Sequence, residues 1–183
     1  MDKESFLDAD QILRLNEVLQ EISHESDRAA AILIGVEIND ALERAIQAYL
    51  LPPPDRKDRL FSHDGPLGSF SSCIDLAYRL GLISGTLRRE IHLIRRVRNE
   101  FAHRTAGLTF DDSPVADYCR ELHIAKWAIT GREAMQDALQ LDRPRNRFAL
   151  TGCATIAMLS GLPKRTNRVI PKPAEFGGER PAA

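Results

Sequence analysis

The chain has 183 residues, 43% of them apolar and 28% charged, the balance of one soluble domain rather than of a disordered or fibrous chain. Lys and Arg number 25 against 26 Asp and Glu, for a net charge of −1, so no overall field draws the protein to nucleic acid or an anionic membrane, and any such contact needs a local patch. The three separated cysteines Cys73, Cys119 and Cys153 fit a reducing cytoplasm better than a disulfide framework. Residues 1–10 lack the basic and apolar regions of a secretion signal, and the weakly polar run 148–162 is too short to span a bilayer. The expectation is a cytoplasmic protein with no membrane contact.

Taken in chain order, nearly every segment repeats at helical period. Ile12, Leu15, Leu19 and Ile22 form one stripe of a first helix. A second is predicted over 28–50, with Ile34, Ile38, Leu42, Ala45 and Tyr49 turned inward, and Pro52-Pro53-Pro54 ends it because proline lacks the N–H a helix needs. A polar loop with a turn at Asp64-Gly65-Pro66 leads to a third helix over 69–80, which Gly81 can terminate. Ser84 or Thr86 can cap a fourth, carrying Leu87, Ile91, Ile94, Val97 and Phe101. Pro114 then stands where a long fifth helix would begin, with Val115, Tyr118, Leu122, Ala125 and Ile129 inside and Gly131 as a possible interruption. Pro144 separates it from a last apolar helix over 147–162. Residues 163–183 hold four of the ten prolines and read as a mobile tail. No stretch alternates with the period of a strand. The fold class is therefore all-α, a single bundle of about six helices over 1–162.

The fourth helix carries the information. Over 86–104 six arginines, Arg88, Arg89, Arg95, Arg96, Arg98 and Arg104, face only Glu90 and Glu100. The planar guanidinium fork suits phosphate or carboxylate better than an ammonium does. At about 100° per residue, the five apolar residues fall in one narrow arc, and Arg98 falls inside it. His92, Arg96, Asn99 and His103 lie opposite. A charge on an apolar stripe must be paired or must line a cleft or interface. Arg98 therefore either pairs with a carboxylate on a neighbouring helix or faces a functional groove or subunit contact.

Arg98-Asn99-Glu100-Phe101-Ala102-His103 is an Arg-Asn-x3-His string near the end of a helix, and it resembles the signature of HEPN domains. These are helical bundles that often dimerise and include metal-independent ribonucleases. The wider setting comprises Asp27-Arg28-Ala29-Ala30, Gly65-Pro66-Leu67-Gly68-Ser69-Phe70, Ile74-Asp75-Leu76-Ala77-Tyr78-Arg79-Leu80-Gly81, and Leu108-Thr109-Phe110 after the arginine helix. Together these pieces resemble the mannitol operon repressor family over about residues 27–123. That resemblance implies an all-helical regulator, although no helix-turn-helix, zinc-ligand set or basic zipper is found. Repression would then run through a partner.

If the resemblance to HEPN ribonucleases holds, His103 would take the proton of an RNA 2′-hydroxyl or deliver one to the leaving oxygen. Arg98 would stabilise the phosphorane-like transition state, and Asn99 would orient the imidazole or a phosphate oxygen, with neither metal nor cofactor. On a regular helix Arg98 and His103 stand about 140° and about 7.5 Å apart, so convergence needs the helix to end near Ala102 or a second subunit to contribute. Alternatively His103 and Asn99 cap the helix end. Arg88, Arg89, Arg95, Arg96 and Arg104 are the candidate binding residues for phosphate or an acidic partner. The expected partners are a second copy of the chain and a protein or nucleic acid, RNA rather than specific DNA. A third reading makes the chain the partner-binding half of a two-gene toxin–antitoxin system, its tail wrapping a second protein.

The remaining candidates read as structural. Cys119 and His123 are four residues apart but lack the third ligand a metal needs, so Cys119 is taken as a buried small residue. Asp111-Asp112 reads as an N-cap pair, and Gly65 to Gly68 as a shaper of the approach to the third helix. Lys164, Arg165, Arg168 and Lys172 read as a solvated tail. Trp127 and the stripe at Met158 read as core or dimer contacts.

Overall fold

A computed structural model describes residues 9–53, 58–104, 107–128 and 139–170. Among these the secondary structure is entirely helical: α1 Ala9–Ser23, α2 Asp27–Tyr49, α3 Phe70–Arg79, α4 Gly85–His103, α5 Val115–Arg120, α6 Ile124–Ala128, α7 Pro144–Ser160 and α8 Leu162–Arg165. Six have six residues or more; α6 and α8 are single turns. No helix among the described residues is long and apolar enough to cross a membrane.

Serine caps open three of the helices, Ser84 as expected from the sequence. Ser26, Ser69 and Ser84 each accept a backbone N–H from the first turn of α2, α3 and α4. Gly81 ends α3 at φ +73°, a left-handed conformation that costs glycine nothing. Gly65 and Gly68 let the 58–68 loop fold on itself, because a Cβ at either position would collide with the carbonyls of Arg59 or Ser62.

α2 and α7 form the centre. α7 packs against α1, α2 and α5, and α2 also packs against α3 and α4. Ile34, Ile38, Leu42, Ile91, Ile94, Val97 and Phe148 are wholly buried between them. Phe101, Phe110 and Phe148 meet with ring centroids 4.9 and 5.1 Å apart, the tilted contact that aromatic quadrupoles favour.

The structure corrects four expectations. The long fifth helix is broken at residues 121–123 into α5 and α6, although its apolar period runs on. In an unbroken helix the Ile124 N–H would bond to the Arg120 carbonyl. Instead the Glu90 carboxylate of α4 accepts the N–H groups of His123 at 2.9 and 3.1 Å and of Ile124 at 3.2 Å. The freed Arg120 carbonyl accepts from the Arg147 guanidinium of α7 at 3.0 Å. Two buried charges, Glu90 at 1% and Arg147 at 8% exposure, thus substitute for one helical hydrogen bond. Ile129 and Gly131 lie outside the described residues.

Second, Pro144 opens the last long helix rather than standing apart from it, since a first-turn proline gives up no bond. Third, Ile12 is 42% exposed while Val18 and Gln11 are buried on α1; among the described residues α1 packs mainly on α7, which selects this face. Fourth, Trp127 is 58% exposed, so within the chain it is no core residue. Past residue 163, Lys164 pairs with Asp10 at 3.0 Å and the Val169 N–H bonds to the Tyr49 carbonyl at 2.8 Å. Residues 171–183, Lys172 included, lie outside the described set.

Candidate functional site

α4 is anchored at both ends. Ser84 Oγ accepts the Leu87 N–H at 3.1 Å. At the other end Arg28 of α2 donates to the carbonyls of Phe101 and Arg104, satisfying acceptors that a helix end leaves open. Arg28 lies near the start of α2 and meets the end of α4, so the two helices run antiparallel.

Three of the six arginines are consumed within the chain. Arg88 donates through Nε at 2.9 Å and a terminal nitrogen at 2.6 Å to Asp75 of α3, and it lies over the Tyr78 ring. Arg89 pairs with Glu121 at 2.8 Å, and Arg104 with Glu100 at 3.1 Å. The Arg88 hydrogen bonds are the main cause holding the Asp75 carboxyl below its ordinary range. His92 touches the same Asp75 oxygen at 3.3 Å. Its pKa falls below 6.5 chiefly because it is partly buried, with Arg88 and Arg95 adding to the effect and Asp75 opposing it.

The three arginines in the middle of α4 have no such partner among the described residues. Among the described residues Arg95, Arg96 and Arg98 make no ion pair. Arg96 lies over the Tyr118 ring at 5.7 Å. Arg95 is half-buried and its Nε is sealed from water with no acceptor among the described residues. Arg98 is half-buried at the seam with α2, where its stem lies on Gly35: a Cβ there would come within 2.7 Å of Arg98 Cγ. Its guanidinium donates to Asn99 Oδ1 at 3.1 Å. The carboxylate partner on a neighbouring helix, one of the two readings of Arg98, is not found among the described residues. Asn39 of α2 also leaves its buried Oδ1 unbonded, while its Nδ2 donates to Glu43 at 2.7 Å.

Of the three motif residues, Arg98 and Asn99 are in contact. His103, the last residue of α4, is exposed and makes no hydrogen bond or ion pair among the described residues. One chain therefore does not bring the imidazole to Arg98.

The other candidates take plain roles. Cys73, Cys119 and Cys153 are buried and unpaired, and burial raises the thiols to about 11, about 12 and about 12. Asp112 caps a turn rather than a helix, accepting Thr109 N–H and Oγ1–H at 2.8 Å each. Among the described residues no three His, Cys, Asp or Glu gather as for a metal. Trp127 and Met158 line an apolar groove of about 460 Å³ with Leu87 and Ile124.

Sequence reasoning missed Glu90, Arg147, Gly35 and Asn39. Glu90 was detectable, since on the wheel that singled out Arg98 it sits in the same apolar arc, between Val97 and Phe101. Gly35 and Asn39 carried no such signal, because only the packing of α2 on α4 gives them a role.

A family model described as mannitol repressor matches residues 57–149, just over half of the chain. The solved structure of the MtlR–HPr complex from Escherichia coli is similar in fold, with a TM-score of 0.59 and 23% sequence identity over 81% of this chain and 99% of that one. No curated protein matches the chain.

Proposed function

The chain belongs to the mannitol repressor family and is a regulatory protein of that kind; we propose that it regulates in the cytoplasm by binding a protein partner through the middle of α4. The observation that carries this is the division of the arginines. Arg88, Arg89 and Arg104 are neutralised at home, whereas Arg95, Arg96 and Arg98 have no carboxylate partner among the described residues; Arg95 and Arg98 are neighbours on one side of α4, and Arg96 lies apart over Tyr118. In a protein with net charge −1, an uncompensated pair of neighbouring arginines is suited to steering and orienting an acidic partner. That the solved relative is an MtlR–HPr complex makes a protein the natural partner class, with HPr the first to try. Ribonuclease activity through Arg98, Asn99 and His103, and the toxin–antitoxin reading, draw no support from the comparisons.

Calorimetric titration of the full chain with HPr tests the proposal. Saturable binding that weakens moderately as salt rises is the expected result. Binding to RNA oligonucleotides that falls by orders of magnitude between about 50 and 200 mM salt would instead favour nucleic acid. RNA cleavage in excess chelator, lost in both Arg98→Ala and His103→Ala, would make the chain an enzyme and overturn the proposal. Sedimentation of the same sample decides the expected homodimer.

A further inference from the structure

We infer that the α2–α4 seam is a recognition site for a carboxylate side chain of that protein partner, held by Arg95 and Arg98 with Asn99 and the α2 residues Gly35 and Asn39 shaping the site. The inference rests on the protein-binding reading above and specifies its chemistry.

The seam is built rather than incidental. Surface arginines are usually loose, and ordering one on binding costs rotamer entropy. Here that cost has already been met inside the fold. Arg98 has its stem seated against Gly35 and one nitrogen on Asn99, and Arg95 is half-buried with a sealed Nε that has no acceptor. Arg95 and Arg98 are three residues apart, so they are neighbours on one helix face and repel each other until an anion comes between them.

α2 contributes the opposite wall. From the Gly35–Arg98 contact, Asn39 lies four residues on along α2 and Arg95 three residues back along α4. In an antiparallel pair both steps run the same way by about one turn. The unbonded Asn39 Oδ1 therefore shares a level of the seam with Arg95. Glu43, the carboxylate a further turn along α2, is engaged by the Asn39 amide and pairs with neither arginine. Both the Asn39 Oδ1 and the Arg95 Nε are closed to solvent and shape the wall of the seam, so it is the remaining guanidinium nitrogens of Arg95 and Arg98 that meet an acidic side chain.

A carboxylate fits better than a nucleic-acid backbone. Phosphate tracks need a row of cations, but Arg88, Arg89 and Arg104, the arginines that would extend the row, are each tied to an acid. What is left spans little more than one turn, the reach of one or two acidic side chains, and Arg–carboxylate forks are geometrically selective.

The experiment has two arms on the full chain. The first titrates HPr into wild type, Arg95→Gln, Arg98→Gln, Gly35→Ala and, as a control, Arg88→Gln. The second follows arginine Nε–Hε resonances while a hexaglutamate peptide or an RNA oligonucleotide is added. The inference expects HPr affinity to fall about tenfold or more in each of the two glutamine variants, and also in Gly35→Ala, which displaces Arg98 without changing charge. Arg88→Gln is expected to bind nearly as wild type, and hexaglutamate to move the Arg95 and Arg98 resonances. Unchanged HPr affinity in both glutamine variants, with their melting intact, overturns the site while leaving the protein-binding reading standing. No HPr binding by wild type, together with hexaglutamate shifts confined to Arg95 and Arg98, supports the site and removes HPr as partner. Shifts with RNA but not with hexaglutamate overturn the carboxylate assignment.

Discussion

Replacing Glu90 by alanine is the most direct test of how the bundle is held. Its carboxylate is 1% exposed and answers two backbone N–H groups, of His123 and Ile124, that have no helical acceptor. A buried N–H left unbonded costs about 1–3 kcal/mol, so two leave a gross loss of about 2–6 kcal/mol. Relief from burying a carboxylate offsets part of this, and we expect a net loss of about 3 kcal/mol. For a chain of this length that lowers Tm by roughly 6–12 °C. Urea unfolding followed by far-UV circular dichroism gives the stability. Amide exchange at His123 and Ile124 gives the location and should quicken by more than about tenfold. Because Arg147 holds the Arg120 carbonyl of the same gap, Arg147→Met combined with Glu90→Ala should cost less than the sum of the two single losses. Glu90→Ala with stability within about 0.5 kcal/mol of wild type and unchanged exchange at both amides would refute the reasoning.

Three further outcomes are expected. No cysteine should react with a thiol reagent near pH 8 in the native protein and all three should react in denaturant, since burial lifts Cys73 to about 11 and Cys119 and Cys153 to about 12; mass spectrometry counts the labels, and one native label would contradict the burial. His92 has its pKa lowered below 6.5 in the fold. The unfolded chain therefore takes the proton first, and stability should be flat above about pH 6.5 and fall as pH drops from there to the folded pKa. His92→Gln should flatten that slope in paired urea titrations, and an unchanged slope would refute the assignment. Gly152→Ala should destabilise by about 1–3 kcal/mol through overpacking, because a Cβ there would lie 2.5 Å from Ile34 Cγ2. A rise in Tm would show that α2 and α7 have room to separate.

The helices α1 to α4 were legible from apolar stripes at helical spacing and from local punctuation: Ser84 before α4, the proline run after α2, and Gly81 after α3. Local signals of that kind act over one turn, and one turn is what a sequence displays. The arginine excess of α4 and the anomalous place of Arg98 were legible for the same reason, since helical period follows from spacing alone.

The break between α5 and α6 was not legible. The apolar period continues through it, and the groups that make it, Glu90 and Arg147, are 33 and 27 residues from the backbone atoms they hold. The division of the arginines was equally hidden. Arg88, Arg89 and Arg95 look alike along the chain, and which of them is free depends on whether packing brings Asp75 or Glu121 within reach. By itself the sequence determined helix positions, the charge of one face and the family resemblance, all properties of residues close along the chain. Only the tertiary structure decided which charges are spent and which stand ready, because pairing depends on distance in space, and that is set by how α2, α3, α5 and α7 close around α4.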